Sequence, residues 1–192
     1  MSLTRIGLAP RAAHLTPAAC QAHWRSAHAD AALALPGLRG YVQNHAVLRD
    51  GAPLLGDPGF DVCAETEFDD LAAMDAGFAS EAYRGAIVAD EARFIDKARF
   101  AFALCERRVL AGGEPPEGAV KLMSFGAAGA GDGDALRHEQ LVVSDALHAG
   151  REPAPFGVVD IRWFASPEAA QAHAAGLEPG VTRLVARPLR VL

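Results

Sequence analysis

The chain has 192 residues, 51% hydrophobic and 22% charged, with 24 acidic against 18 basic side chains and a formal net charge of −6. This is enough chain to bury an apolar core without disulfides or a structural metal, and it excludes collagen-like, coiled-coil and disordered classes. The acidic balance, with no cluster of Lys and Arg, excludes a nucleic-acid binder, which gains affinity by neutralising phosphates.

Lys97 and Lys121 are the only lysines, and the densest basic spot, Arg107-Arg108, reads as the solvated end of a strand. Cys20, Cys63 and Cys105 are too widely spaced for a CxxC metal or redox motif and read as reduced core residues of a cytoplasmic protein. Met1 to Arg11 lacks the apolar core of a signal peptide. No stretch approaches ~20 apolar residues, so no membrane span is expected either.

Leu3 to Ala9 reads as a first strand, bounded by Pro10. Thr16-Pro17 starts a helix: the hydroxyl can accept an orphan backbone N–H, and proline is tolerated at the first helical position. That helix is expected to run to about Leu35 and to stop before Pro36-Gly37. Gly37 to Leu48 is a second strand, Arg49 to Gly59 a loop, and Phe60 to Phe68 a third strand. Asp69-Asp70 caps a helical stretch to Phe78, Ser80 starts another that runs to Asp96, and Arg99 to Leu110 is a fourth strand. Strand, helix, strand, strand, helix, strand is the split βαβ order, which makes a four-stranded antiparallel sheet with helices on one face.

Ala111 to Gly118, with Gly112-Gly113 and Pro115-Pro116, reads as a linker. Beyond it the order restarts in shortened form. Ala119 to Phe125 matches the first strand, Ala127 to Gly133 is a glycine-rich loop in place of the long helix, and Leu136-Arg137 parallels Leu38-Arg39. Phe156 to Phe164 repeats the spacing of Phe60 to Phe68, Ser166-Pro167 starts a helix to about Leu177, and Val181 to Leu192 is the last strand. The expected domains are therefore 1–110, a linker 111–118, and a degenerate second repeat 119–192 without its first helix. The expected fold is α+β, two tandem ferredoxin-like repeats whose sheets pack face to face as a pseudo-dimer, with the natural ligand pocket between each sheet and its own helices.

The first helix carries the most informative cluster. Trp24 and His28 are four apart and share a face with Cys20, Ala31 and Leu35, whereas His23 and Arg25 point elsewhere. His23 and His28 are five apart and do not form a helical two-His metal site. His28 reads either as a core histidine satisfied by one hydrogen bond, or as a desolvated imidazole that keeps one nitrogen free for general acid or base work. Tyr41, Gln43 and His45 share one face of the second strand, open either to solvent or to the pocket. Asp61, Cys63, Glu65 and Glu67 share a face of the third, either a solvated acidic face or a source of a carboxylate that orients an imidazole. Asp90 and Phe94 share a face in the second helical region. No phosphate-cradling motif and no nucleophile elbow is present.

His23-Trp24 through His28, Leu35-Pro36-Gly37-Leu38-Arg39-Gly40-Tyr41, Phe60-Asp61 with Glu65, and Asp90-Glu91-Ala92-Arg93-Phe94-Ile95-Asp96 together resemble the EthD family, named for ethyl tert-butyl ether degradation, of the dimeric α/β barrel superfamily. The resemblance covers Ile6 to Val109; Trp24, His28, Tyr41, Asp90 and Phe94 match its motif positions. It implies a small apolar ligand. Relatives are associated with ether breakdown and with dehydration or decarboxylation of aromatic polyketides, and related barrels include cofactor-free monooxygenases, isomerases and haem enzymes.

The expected function is an enzyme acting on an apolar aromatic or cyclic metabolite by proton transfer, as a dehydratase, isomerase or cofactor-independent oxidoreductase. His28, Tyr41 and Asp90 are the expected catalytic residues; Trp24, His45 and Phe94 are the expected substrate-binding ones. No metal and no cofactor is expected, with haem on His28 or His45 as the minor alternative. The partners are a small organic ligand and a second copy in a homodimer, not nucleic acid or membrane. The reading from another class is a non-catalytic accessory protein that holds an apolar intermediate for a partner oxygenase.

Overall fold

The computed structural model describes residues 3–126 and 133–192. The glycine-rich loop expected from Ala127 onward therefore lies, up to residue 132, outside the described residues. β1 (Leu3–Ala9) leads into a helical run made of α1 (Pro17–His23), a π-turn (Trp24–His28) and α2 (Ala29–Ala32). β2 (Gly40–Ala46), a small hairpin of β3 (Leu48–Arg49) and β4 (Ala52–Pro53), and β5 (Val62–Phe68) follow. Next come α3 (Leu71–Ala79), a second π-turn (Tyr83–Ile87), α4 (Val88–Phe94) and β6 (Ala101–Gly112). The remainder is β7 (Val120–Phe125), β8 (Arg137–Val143), α5 (Asp145–His148), β9 (Val158–Phe164), α6 (Pro167–Ala175) and β10 (Thr182–Arg190).

Eight of these strands close an antiparallel barrel in the order β1-β5-β2-β10-β7-β9-β8-β6, with β6 paired back onto β1. The fold is thus mixed α and β with a closed sheet, and closure leaves no unpaired edge. Both faces of β1 and β7 are covered, so every residue of these two strands but Arg5 is buried, the polar Thr4, Lys121 and Ser124 included.

Local chemistry sets the helix boundaries. Thr16 Oγ1 accepts from Ala19 N at 3.2 Å with Pro17 in the first turn, Asp70 Oδ1 accepts from Ala73 N at 2.8 Å, and Ser166 Oγ accepts from Ala169 N at 3.2 Å. Gly77 lets α3 lie against the turn at Pro36, since a Cβ there would come within 2.5 Å of the Pro36 carbonyl oxygen. Two departures from the sequence reading matter. The first helix is not a regular helix to Leu35: a π-turn widens it at Trp24–His28 and it ends at Ala32. And β6 runs on through Gly112, into the stretch expected to be a linker.

The barrel lumen is apolar over most of its length, with Ile6, Cys63, Ala103, Met123, Leu141 and Ile161 fully enclosed. Its other end is ionic. Glu65 accepts from Lys121 Nζ at 2.5 Å, from Arg107 Nη2 at 2.6 Å and from Asn44 Nδ2 at 2.8 Å. Burial alone would raise the Glu65 carboxyl, but Lys121 and Arg107 outweigh it and hold the group well below the usual carboxylate range. This corrects two expectations. Arg107 is no solvated strand end, for it also meets Glu139 at 3.2 Å, and the acidic face of β5 turns into the barrel and not toward water. Asp61, for its part, binds Arg11 at 2.8 Å, so neither it nor Glu65 orients an imidazole.

All three cysteines are buried and free. No helix among the described residues is long and apolar enough to cross a membrane.

Candidate functional site

A cavity of about 60 Å³ lies on the outer side of the barrel, roofed by the two helical runs that carry π-turns and floored by β1, β2 and β5. Trp24, His28, Tyr41 and Phe94 line it, together with Tyr83 and Arg5. Both π-turns put residues on the wall: Trp24 and His28 from the first, Tyr83 and Ile87 from the second. Such one-turn widenings inside helices recur at functional sites because they re-aim side chains that a regular helix would turn away.

The first π-turn explains an arrangement that helical spacing did not suggest. His23 and His28 do converge, on the carboxylate of Asp90: His23 Nε2 lies 2.9 Å from Oδ1 and His28 Nδ1 lies 3.0 Å from Oδ2. An extra residue in the turn brings positions five apart toward one side, so the expectation that His23 points elsewhere is corrected. Phe94, one helical turn beyond Asp90, packs on both imidazoles, with ring centroids 5.0 Å from His23 and 4.9 Å from His28.

An ionised carboxylate can only accept, so the nitrogen of His28 that faces Asp90 carries the proton. The lone pair is then on Nε2, which makes no hydrogen bond to any described residue. Burial pushes the pKa of His28 below its ordinary value, and the Asp90 hydrogen bond offsets only part of that shift. The ring is therefore neutral at neutral pH, with its basic nitrogen available on a cavity wall.

Tyr41 is fixed with equal definition. Its oxygen accepts from Trp24 Nε1 at 2.8 Å and from Gln43 Nε2 at 3.1 Å, which uses both lone pairs and leaves the hydroxyl proton to be donated. Gln43 is itself pinned, because its amide nitrogen donates to the Trp24 carbonyl at 2.8 Å. Burial pushes the Tyr41 hydroxyl up to about 12, so it stays protonated as a donor.

His45 departs from expectation. It is buried, but it does not line the cavity: it sits against the Trp24 indole at 4.6 Å between centroids, with Nε2 2.8 Å from Gln43 Oε1. Because the Gln43 oxygen accepts, His45 Nε2 is protonated, and its buried Nδ1 has no partner. It thereby packs on the Trp24 indole and fixes the Gln43 amide. Asp90 likewise stands behind His28 and does not line the cavity.

Of the expected site residues, five of six thus meet in one place: Trp24, His28, Tyr41 and Phe94 on the wall, Asp90 behind. Sequence reasoning missed Gln43, His23 and Arg5. Gln43 was placed on the right strand face without a task; Arg5 had a signal in being the one long charged side chain within the apolar run Leu3–Ala9. Among the described residues no group of three or more His, Cys, Asp or Glu side chains could hold a metal ion. Haem does not fit the residues present: a porphyrin is far larger than this cavity, and His45 is outside it. On the other half of the barrel the buried outward face of β8 and β9 holds an ionic cluster instead, with Asp160 accepting from His138 at 2.7 Å and from Arg162 at 2.5 Å.

Comparison with known proteins adds to this geometry. Residues 12–98 match the EthD domain family. None of the curated proteins matches the chain. Among solved structures, a proposed monooxygenase from Lactobacillus acidophilus NCFM is similar over 100% of this chain and 94% of its own, with a TM-score of 0.52 and 12% identity. A proposed monooxygenase from Fusobacterium nucleatum is similar over 98% of this chain and 92% of its own, with a TM-score of 0.54 and 7% identity. An EthD family protein from Bacillus halodurans C-125 matches 55% of this chain and 98% of its own at 19% identity, with a TM-score of 0.43. At these identities the first two likenesses are likenesses of fold.

Proposed function

Since residues 12–98 match the EthD domain, we propose that the chain is a small-molecule enzyme whose substrate enters the cavity beside Trp24 and loses a proton from an activated carbon to His28 Nε2. The observation that carries this reading is the His28–Asp90 pair at 3.0 Å on a cavity wall. In that step the C–H bond breaks, its electron pair moves onto the neighbouring carbonyl oxygen, and the proton passes to Nε2. Asp90 stabilises the imidazolium that forms, as a buried carboxylate behind a catalytic histidine does. Tyr41 donates its hydroxyl proton to the oxygen on which charge develops. Dehydration, isomerisation and cofactor-independent oxidation of a cyclic metabolite share this first step.

The cavity of about 60 Å³ is smaller than the ~150 Å³ apolar cavity that takes up benzene. A ring-sized substrate therefore enters only with displacement of wall side chains.

The reading also takes the chain as one unit used twice. Supporting it is the strand order: β6-β1-β5-β2 and β10-β7-β9-β8 have the same connectivity, joined β2 to β10 and β8 to β6. Leu3 stands opposite Phe68 as Val120 stands opposite Phe164, and Tyr41 stands opposite Thr66 as His138 stands opposite Arg162. In that frame Arg137 corresponds to Gly40, one residue on from the Arg39 expected from sequence. With His138 at the position of Tyr41, and Asp160 and Arg162 at those of Ala64 and Thr66, a charged cluster stands where the first half has its cavity.

The test is hydrogen exchange in D₂O on enolisable aryl ketones such as phenylacetone, followed by proton NMR. The wild-type protein should accelerate C–H to C–D exchange, and His28→Gln should lower that acceleration by ~10²- to 10⁴-fold while keeping its fold. Exchange undiminished in His28→Gln would remove the assigned role. A non-catalytic carrier is distinguished by binding the ketone with no exchange at all.

A further inference from the structure

Arg5 is the one cation on the cavity wall, and among the described residues its guanidinium makes no hydrogen bond and no ion pair. It is held by rings instead: its Cζ lies 4.5 Å from the Phe78 centroid, 5.0 Å from Phe100 and 4.9 Å from Phe102. Aromatic faces attract a cation but accept none of its N–H groups in the plane of the fork. A guanidinium enclosed in this way keeps five donors unspent, and a planar carboxylate is the partner whose geometry matches two of them at once.

The neighbouring charges do not supply that partner. Glu91 is on the same wall, but its carboxylate is engaged by Lys97 and by the Tyr83 hydroxyl. Asp90 is engaged by two imidazoles. The strand is also shaped around Arg5: at Gly7 a Cβ would stand 3.2 Å from Arg5 Nη1 and 3.2 Å from Phe100, so glycine keeps the space the guanidinium uses. Burial pushes Arg5 down to about 10, against the pull of Tyr83 and Glu91, and it remains charged at neutral pH.

We propose that Arg5 anchors an ionised carboxylate of the ligand, so that the cavity selects apolar ring compounds bearing one acid group. This rests on the reading of the cavity as the substrate site. It narrows the substrate class from apolar metabolites in general to monoanionic aromatic or cyclic acids, oriented with the acid group on Arg5 and the apolar body among Phe94, Trp24 and Ile87.

The experiment compares benzoate with benzamide, nearly isosteric and differing in charge, by titration of the full chain. The indole N–H resonance of Trp24 is the site-specific readout, assigned with Trp163→Phe. Benzoate should bind at least ~10-fold more tightly than benzamide, and Arg5→Met should abolish the difference. Arg5→Lys, which keeps the charge and most of the stem, should keep part of it. Benzamide binding as tightly as benzoate in the wild-type protein overturns the proposal and leaves the site reading standing; so does a preference that survives in Arg5→Met. If neither probe moves the Trp24 resonance, the site reading fails and the proposal falls with it.

Discussion

The indole nitrogen of Trp24 donates to the hydroxyl oxygen of Tyr41 at 2.8 Å, across the space between the first helical run and β2. Tyr41→Phe removes the acceptor and leaves the donor buried, because Trp24 is 1% exposed. An unsatisfied buried donor costs about 1–3 kcal/mol, which outweighs the small apolar gain of losing a hydroxyl. Urea denaturation should show Tyr41→Phe less stable than the wild type by that amount; equal stability would mean that the bond carries no structural load.

Asp90→Asn keeps the shape of the side chain and loses its charge. An amide presents an acceptor to one imidazole and a donor to the other, so one of His23 and His28 meets the wrong partner. If His28 loses its fixed tautomer, exchange in the ketone assay should fall by ~10²-fold or more. The imidazole ¹⁵N shifts of His28 should change in the same variant. A fall in rate with unchanged shifts would point to packing and not to proton placement.

His45 carries a pH dependence of stability. Burial, with a smaller contribution from Arg25, pushes its pKa down to about 4, against an ordinary value near ~6.5. Between those two values the unfolded chain takes up a proton that the folded chain refuses, so stability is full above ~6.5 and declines as pH falls toward 4. The loss from this group is of order 3 kcal/mol at most. His28, also held below its ordinary value, adds to the decline in the same direction. Thermal melts from pH 7 to pH 4 should show a steep fall in Tm, shallower in His45→Phe; parallel curves would contradict the assignment.

The barrel lumen offers a separate test. Lys121→Met strands the Glu65 carboxylate with only Arg107 and Asn44 beside it, and breaking one partner of a buried pair costs about 3–5 kcal/mol. Glu65→Leu, which strands Lys121, should be destabilising as well, and the double variant Glu65→Leu/Lys121→Met should recover much of the loss. Denaturant midpoints of the three variants decide this; a double variant at the sum of the single ones would contradict pairwise compensation.

How far the sequence reached depends on what kind of signal each residue carried. Trp24 and His28 were legible because an apolar stripe at helical spacing locates the buried face; strand alternation left Tyr41 open to solvent or pocket, and it was the resemblance to the EthD family that singled out Tyr41 and Phe94. The convergence of His23 on Asp90 was not, since a regular helix separates positions five apart and nothing in His23–His28 announces a π-turn. His45 was on the right face but too far along β2 to reach the cavity, a matter of where Trp24 ends up. The acidic alternation of Asp61, Cys63, Glu65 and Glu67 could not reveal that Lys121 and Arg107, distant in sequence, meet it inside the barrel. Arg5 escaped because strand periodicity says which way a side chain points and not whether a carboxylate will be there to meet it.

The placement of one proton on His28 decides most. With ¹⁵N-labelled histidine, long-range proton–nitrogen correlation at pH 7 reports each ring nitrogen separately, and His28→Gln assigns the signals among the seven histidines. Expected for His28 is a neutral ring with Nδ1 protonated and Nε2 bare. A proton on Nε2 with Nδ1 bare, or an imidazolium at that pH, would contradict a base aimed at the cavity.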